Sequence, residues 1–141
     1  MSGGRRDVLL DTGPLVAVLD RRDAWHLRCG EAWHALAPRC ATTEAVVTEA
    51  THLVGRGGGP PALVLELLFA VEVPILTLDS DGHRLAAGLM RRYQDTPMDY
   101  ADATLVVAAE WLGAAEVFTL DRRGFKTYRG SGDRRFALLP S

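Results

Sequence analysis

The sequence predicts an α/β fold in which a parallel sheet of four to five strands is flanked by helices. Short apolar runs alternate along the chain with helical segments. Connections of about 10 to 15 residues between strands are typical of parallel sheets, because such strands need a crossover. The chain has 141 residues, which corresponds to about one domain, and no linker or internal repeat divides it. We therefore expect a single domain over residues 1–141.

Local signals justify the elements in order. Thr42-Thr43 and Asp79-Ser80 are helix caps, and the pair Pro60-Pro61 suits the first turn of a helix. Gly113 ends the last long helix. Together with the apolar runs, these signals predict strands at 8–10, 41–43, 74–78, 117–120 and 136–139, a broken helical hairpin at 15–19 and 25–36, and helices at 44–54, 62–70, 83–93 and 100–112.

Net charge and cysteine content exclude several classes of protein. A formal net charge of -2 argues against a protein that holds nucleic acid by overall charge, so any such contact must be local. Cys29 and Cys40 form no CxxC motif and have no histidine at ligand spacing, which predicts free thiols rather than a disulfide or a zinc site. The first apolar run is too short for a signal peptide or a membrane span. We expect a cytoplasmic protein.

Two acids directly follow predicted strands, namely Asp11 after 8–10 and Asp121 after 117–120. In an open parallel sheet, ligands bind outside the carboxyl ends of the strands. Carboxylates crowded there repel one another unless a cation neutralises them. Asp11 alone could instead cap the next helix, or be the nucleophile of a haloacid-dehalogenase-like phosphatase. That phosphatase chemistry needs a second aspartate two residues on, where this chain has Gly13.

Two further acids lie on the helix predicted at 44–54. Glu49 lies between apolar residues, so its carboxylate should point toward the sheet, where an acid is costly unless it is paired or bound to a metal. Glu44 lies in the first turn, where a carboxylate complements the helix dipole. Glu49 is therefore the better candidate ligand. His52, three residues later, is more typical of a partly exposed polar residue.

Asp99 and Asp102 are spaced to lie on one side of a helix start. The same spacing is that of a capping box with Asp in place of Glu. Each residue can have one of these two roles: Asp99 would cap the helix, and Asp102 would face a site. The small neighbours Ala101 and Ala103 would leave space there for a metal and a phosphate.

A local cationic cluster follows Asp121. A strand-end carboxylate beside such a cluster is consistent with a site that binds a polyanion, although a charge run is more often only a solvated loop. Asp79 ends a similar Thr-Leu-Asp sequence but lacks the basic residues, so it is better interpreted as a helix cap. The candidate phosphate contacts are Arg122, Arg123, Lys126 and Arg129.

With these residues in order, the chain resembles the PIN-domain family, and in size and pattern the toxin ribonucleases of bacterial VapBC modules, which are type II toxin-antitoxin systems. Each motif is weak alone, but four in register are specific. The matching segments span nearly the whole chain: Val8-Leu9-Leu10-Asp11-Thr12-Gly13-Pro14-Leu15, Thr42-Thr43-Glu44-Ala45-Val46-Val47-Thr48-Glu49-Ala50, Pro97-Met98-Asp99-Tyr100-Ala101-Asp102-Ala103 and Phe118-Thr119-Leu120-Asp121-Arg122-Arg123-Gly124-Phe125.

The resemblance implies a PIN-like three-layer fold and hydrolysis of RNA phosphodiester bonds with Mg2+ or Mn2+. The family pattern makes Asp99 an accessory metal ligand and gives Thr12 and Thr119 possible hydroxyl contacts. The chain departs from the family at Gly124, where another acid or polar residue is common, so a fifth ligand is not implied. The catalytic and metal-binding acids implied are Asp11, Glu49, Asp102 and Asp121.

The resemblance also implies partners: an RNA substrate, a small antitoxin that covers the site, and a second copy of the chain in a homodimer. Trp25, Trp33 and Leu36 are candidates for a partner contact, but they are equally consistent with core positions. Two other functions stay open. One is a regulatory module on the same fold that binds nucleic acid or protein without cutting, and the other is a housekeeping RNA-processing nuclease.

Overall fold

The computed structural model describes residues 4–141, and the first three residues of the predicted domain lie outside the described part. It contains one five-stranded sheet. The strands are β1 (Val8–Leu10), β2 (Cys40–Thr43), β3 (Ile75–Leu76), β4 (Glu116–Phe118) and β5 (Ala137–Leu139). The α-helices are α1 (Thr12–Leu19), α2 (His26–Leu36), α3 (Glu44–Arg56), α4 (Ala62–Ala70), α5 (Ser80–Arg92), α6 (Tyr100–Leu112) and α7 (Arg122–Thr127).

All strand pairs are parallel, in the order β3-β2-β1-β4-β5, which confirms the predicted α/β class. The chain moves outward from β1 to β2 and β3, then returns to the other side of β1 with β4 and β5. Crossover connections between parallel strands are right-handed. Because the chain reverses its direction across the sheet after β3, helices α1 to α4 lie on one face of the sheet and α5 and α6 lie on the other. The strand order thus changes direction between β1 and β4, where ligands bind in such sheets.

The core is built around β1 and α6. Val8, Leu9 and Leu10 are fully buried, as expected for a central strand covered on both faces. Helix α6 is buried along nine consecutive residues from Ala101 to Ala109, so it is a central helix. It ends at Gly113, whose φ of 61° is a left-handed conformation that favours glycine. This packing fixes the start of α6 beside the end of β1.

Several predicted elements differ from the observed ones. Helix α1 begins at Thr12 rather than at residue 15, and β4 spans Glu116–Phe118 rather than 117–120. The third strand pairs only at Ile75–Leu76, not over 74–78, because it is an edge strand that meets only β2. Helix α5 begins at Ser80 rather than at residue 83, because Asp79 Oδ1 accepts a hydrogen bond from the Gly82 amide at 2.7 Å. That contact confirms Asp79 as a cap. The segment after Asp121 is helix α7, not a loop, and six residues are too few to show a helical period in the sequence.

The cysteines are as predicted. Cys29 and Cys40 are both buried and free. Burial raises the pKa of Cys29 to about 11 and that of Cys40 to about 12, so neither thiol ionises readily near neutral pH. Within residues 4–141, no helix combines the length and the apolar character that a membrane crossing needs.

Candidate active site

An open pocket of about 520 Å³ lies at the carboxyl ends of β1 and β4. Its lining combines carboxylates from five separate parts of the chain with an apolar wall. All five acids predicted as metal ligands contribute to it. The lining residues are Asp11, Thr12, Gly13, Val16, Asp23, Trp25, Glu49, Leu53, Pro97, Asp99, Asp102, Leu120 and Asp121.

Asp11 is held by hydrogen bonds to both of its carboxylate oxygens. It caps α1, with Oδ1 accepting from the Thr12 amide at 2.8 Å, and Oδ2 accepts from the Thr119 hydroxyl at 2.7 Å. Its own amide donates to the carbonyl of Phe118 in β4. Only 6% of Asp11 is exposed. Asp11 therefore caps α1 and is at the same time a fixed carboxylate of the pocket at the end of β1.

Asp99 and Asp102 form the capping box predicted from their spacing. The Asp102 amide donates to Asp99 Oδ1 at 2.8 Å, and the Asp99 amide donates to Asp102 Oδ2 at 3.3 Å. Both residues also line the pocket, Asp99 as an exposed residue and Asp102 as a buried one. The cap is thus one more way in which the chain fixes an acid in this pocket.

Asp121 and Thr119 connect β4 to α7. The Asp121 amide donates to the Thr119 hydroxyl at 2.9 Å, and Asp121 Oδ1 accepts from the Gly124 amide at 3.1 Å, which caps α7. The Thr119 hydroxyl, fully buried, thereby links the acid of β1 to that of β4. Thr119 is close to the site as predicted, and the structure gives it a contact with Asp11.

A tyrosine that the sequence did not indicate also contacts the acids. Tyr128 is fully buried, and its hydroxyl lies 3.3 Å from Asp102 Oδ2 and 3.4 Å from the carbonyl oxygen of Pro97. Tyr128 follows Asp102 by 26 residues, on the far side of β4. No motif links the two positions, so only the packing of the segment after α7 brings them together.

Glu49 lies in the wall of the pocket and not between helix α3 and the sheet. The expectation that it points into the sheet is wrong, because Glu49 is only partly buried and lines an open cavity where water can reach it. Glu44 is exposed at the start of α3 and lines a different cavity beside Thr43 and Tyr100. His52 is exposed and is not part of the pocket lining. The choice of Glu49 over Glu44 agrees with this placement.

Comparison with known proteins decides the family. A model of the PIN domain matches residues 8–130 of the chain. The chain belongs to the PIN-domain family. Along 135 residues it is 30% identical to Ribonuclease VapC26 of Mycobacterium tuberculosis, covering 94% of this chain and 100% of that relative. The resemblance to VapC-like PIN domains is thereby confirmed.

A solved structure agrees with the fold of this PIN domain. The crystal structure of Mycobacterium tuberculosis VapC20, described as a toxin that cleaves the sarcin-ricin loop, matches with a TM-score of 0.75. The match covers 82% of this chain and 90% of VapC20, at 20% sequence identity. At that identity the likeness concerns the fold, and it confirms the PIN-like arrangement of sheet and helices.

The charges of the PIN-domain pocket are unbalanced. Burial, helped by the nearby charges of Glu49 and Asp121, raises the pKa of Asp11 to about 6 against the hydrogen bonds from Thr119 and Thr12. Burial also raises the pKa of Asp102 well above its usual range, with Asp99 and Asp11 adding repulsion. None of the ion pairs within residues 4–141 includes these acids. The pocket therefore favours an external cation.

The donor set suits a hard divalent cation that keeps part of its water shell. As they stand, no three acidic, histidine or cysteine side chains of residues 4–141 are close enough to enclose a metal. Mg2+ typically binds through one or two carboxylates and several waters, so an enclosing cage is not required. Thr12 adds a polar group: its hydroxyl is buried and has no hydrogen-bond partner in the described chain. The residues present fit such an ion.

The four basic residues near the site differ in their contacts. Arg122 donates to the carbonyl of Pro140 at 2.9 Å, and Arg129 donates to the carbonyls that end α7, at 2.6 to 3.0 Å. Arg123 and Lys126 are exposed. Their side chains make no hydrogen bond or ion pair with the rest of residues 4–141. The structure therefore leaves Arg123 and Lys126 available to an anionic ligand, while Arg122 and Arg129 support the chain around them.

Apolar side chains form the wall of the pocket next to the acids. Trp25 and Leu53 both line it, and they are 43% and 40% exposed. Asp23, which the sequence analysis did not single out, also lines the pocket, and its Oδ1 accepts from the Trp25 amide at 2.8 Å. Trp33 is 6% exposed and belongs to the core. Among the tryptophan candidates, Trp25 is thus placed for a partner contact and Trp33 is not.

Proposed function

We propose that this PIN domain is a ribonuclease that hydrolyses RNA phosphodiester bonds with Mg2+ or Mn2+, and that it is the toxin of a VapBC-type pair. The observation that carries the proposal is the convergence of Asp11, Glu49, Asp99, Asp102 and Asp121 on one pocket. The 30% sequence identity to Ribonuclease VapC26, along the entire length of that relative, supports ribonuclease activity. Metal dependence rests on the unbalanced charge of the pocket and on its oxygen-only donors.

Asp11, Asp102 and Asp121 are the residues that would hold the cation, with Glu49 and Asp99 at the sides of the pocket. A divalent ion bound there supplies positive charge that activates water and stabilises the charge developing on the phosphate. The chain positions its acids beforehand. Thr119 and the Thr12 amide orient Asp11, and the capping box orients Asp102. Because the carboxylates are fixed before substrate binds, little reorganisation is needed during reaction.

The basic residues of α7 have the role of phosphate contacts in this proposal. Arg123 and Lys126 are free to bind the RNA backbone, which would strengthen binding without choosing a sequence. Replacing both by Ala should weaken RNA binding and reduce the slope of log affinity against log salt by about 1 to 2. Arg122 and Arg129 serve as the matched pair of cations, and their replacement should alter stability more than the salt slope. Equal salt slopes for the two pairs would contradict this assignment.

We also propose a small antitoxin as the partner and a homodimer as the assembly. The antitoxin would place an apolar segment on the wall formed by Trp25 and Leu53 and a basic side chain near the acids. Trp25→Ala should then weaken inhibition by the antitoxin more than it weakens metal binding. Unchanged inhibition would remove this wall from the antitoxin interface.

The direct test of the activity is cleavage of total ribosomal RNA by the wild type and by Asp102→Asn, with Mg2+, with Mn2+ and with EDTA. Ribosomal RNA is a suitable substrate because it contains the sarcin-ricin loop that VapC20 cleaves. Cleavage that needs both a metal and Asp102 supports the proposal. Cleavage that persists in EDTA, or in Asp102→Asn, contradicts it.

A second experiment separates the toxin from the other candidate functions. Induced expression of the wild type should arrest bacterial growth, and expression of Asp102→Asn should not. Cleavage in vitro without growth arrest would favour a housekeeping nuclease. RNA or protein binding with no cleavage under any metal condition would favour the non-catalytic module.

A further inference from the structure

The hydroxyl of Tyr128 lies among the acids of the pocket. It is 3.3 Å from Asp102 Oδ2, and the charges of Asp102, Asp121 and Asp99 all act on it. The phenol ring is held by edge-to-face contacts with Tyr93 and Phe125, each with 5.2 Å between ring centroids. These ring contacts hold the hydroxyl beside Asp102 Oδ2, with the carbonyl oxygen of Pro97 also within 3.4 Å.

Gly124 provides the space that this hydroxyl occupies. A Cβ atom at position 124 would lie 3.0 Å from the Tyr128 hydroxyl oxygen and 2.6 Å from Asp121 Oδ2. Real Cβ atoms essentially never approach another heavy atom more closely than 3.0 Å, so any larger residue would displace at least one of the two groups. The glycine at position 124 thus leaves room for a hydroxyl that arrives from residue 128.

The contact affects the two oxygens of Asp102 differently. Oδ2 accepts from the Asp99 amide and from the Tyr128 hydroxyl, both at 3.3 Å. Oδ1 accepts no hydrogen bond from the described residues. The Tyr128 hydroxyl is a phenol, and an ordinary phenol is a neutral donor near neutral pH. A neutral donor holds the carboxylate and leaves its negative charge in place. An arginine at the same position would cancel that charge.

We propose that Tyr128 is a positioning residue of this site, and the role rests on the proposed metal-dependent function. Its hydroxyl fixes Asp102 through Oδ2 and leaves Oδ1 as the atom available to a cation, and Gly124 leaves room for both that hydroxyl and Asp121 Oδ2. Groups that orient metal ligands in this way commonly change metal affinity or activity by about 10- to 100-fold.

Tyr128→Phe tests the role, with Tyr93→Phe as the matched control. Both changes remove one buried hydroxyl, but that of Tyr93 accepts from the Arg129 amide at 3.0 Å and contacts no acid. Calorimetric titration with Mn2+ should give about tenfold weaker binding for Tyr128→Phe and wild-type binding for Tyr93→Phe. With RNA, Tyr128→Phe should lower kcat and leave KM unchanged, because the substrate contacts remain.

Wild-type Mn2+ affinity in Tyr128→Phe, beside a wild type that binds Mn2+ and cleaves RNA, would overturn the role of Tyr128 alone. Loss of the folded state in Tyr128→Phe would make the hydroxyl a structural group and would also overturn the role. A wild type that neither binds Mn2+ nor cleaves RNA would overturn the proposed function and this role with it. Circular dichroism and thermal unfolding of each variant distinguish the first two outcomes.

Gly124→Ala gives a second, independent test of the same contact. In the wild-type background it should weaken Mn2+ binding, because the added methyl crowds both the Tyr128 hydroxyl and Asp121 Oδ2. In the Tyr128→Phe background the hydroxyl is already absent, so the same change should weaken binding by a smaller factor. Equal factors in the two backgrounds would place the whole effect of the methyl on Asp121 and would contradict the pairing of Gly124 with Tyr128.

Discussion

Strands β1 and β4 have acids at both ends, but in the described part of the chain only the acids at the amino end form ion pairs with a cation of the chain. At the amino end, Asp7 and Glu116 share Arg39, with Nε 2.9 Å from Asp7 Oδ1 and Nη2 2.5 Å from Glu116 Oε1. At the carboxyl end, Asp11 and Asp121 have no ion-pair partner within residues 4–141. The hydrogen bond from Arg39 lowers the pKa of Asp7, whereas burial raises that of Asp11 to about 6.

This difference in ion pairing comes from where the basic residues are placed and not from a shortage of them in the chain. The chain has 16 lysines and arginines, and at the amino end one of them, Arg39, forms ion pairs with two acids. A pocket that concentrates carboxylates and excludes the chain's own cations is less stable than a neutralised one. Such an arrangement is expected where an external cation completes the structure. Four predictions test this contrast between the two ends of the strands.

Asp11→Asn should produce the largest effect. The change removes a carboxylate charge from the pocket while an oxygen remains to accept from the Thr12 amide, so the fold should persist. RNA cleavage should fall by about a thousandfold or more, measured as single-turnover rates. Asp7→Asn, at the other end of β1, is the control and should change the rate by less than about threefold. Similar losses in both variants would mean that the two ends are not functionally distinct.

Glu49→Gln should produce the next largest effect and Glu44→Gln a much smaller one. Both residues are on α3, but only Glu49 lines the acidic pocket. Cleavage should fall by about 10- to 100-fold for Glu49→Gln and by less than about threefold for Glu44→Gln. The reverse order would identify Glu44 as the ligand from α3.

Asp102→Asn should stabilise the metal-free protein. A carboxyl group whose pKa is raised on folding costs stability as the pH rises above its unfolded pKa of about 4, because folding then requires a proton to be taken up. The Asn side chain removes that cost. In EDTA, urea unfolding should give a free energy of unfolding higher by about 1 to 2 kcal/mol at pH 7, and the advantage should shrink at pH 4. A destabilised variant at pH 7 would show that Asp102 is not under charge strain.

Arg39→Met should have the smallest effect and the opposite sign. Its guanidinium stabilises Asp7 and Glu116, but all three side chains are roughly one-third exposed, so water screens the interaction. The free energy of unfolding should fall by about 0.5 to 1 kcal/mol, with RNA cleavage and Mn2+ binding unchanged. Loss of activity without loss of stability would indicate that the amino end of the sheet communicates with the pocket.

Much of the fold could be predicted from the sequence, because the signals are local. The apolar run before Asp11 and the helix caps at Thr43, Asp79 and Asp99 are each contained in a few residues. Helix α7 could not be predicted, because it is only six residues long and its basic composition is equally typical of a loop. The length of the third strand depends on its single neighbour, β2, which no local pattern specifies.

The candidate site divides in the same way. Acids at strand ends and at a helix start could be placed by position alone, and all five line one pocket. The orientation of Glu49 was predicted wrongly, because helical periodicity gives a face but not the cavity at the end of the sheet. Tyr128 was missed because its contact with Asp102 joins residues that are distant in sequence and depends on a bare Gly124. Such contacts follow from packing and have no sequence period.

The most direct test of the central claim is a calorimetric titration of Mn2+ into the wild type, Asp11→Asn and Asp7→Asn. We propose that the carboxyl end of the sheet holds its acids for an external cation, whereas at the amino end Arg39 already pairs with Asp7 and Glu116. We expect the wild type and Asp7→Asn to bind Mn2+ alike and Asp11→Asn to bind it far more weakly. Equal binding by Asp11→Asn and the wild type, or no binding by the wild type, would contradict the claim.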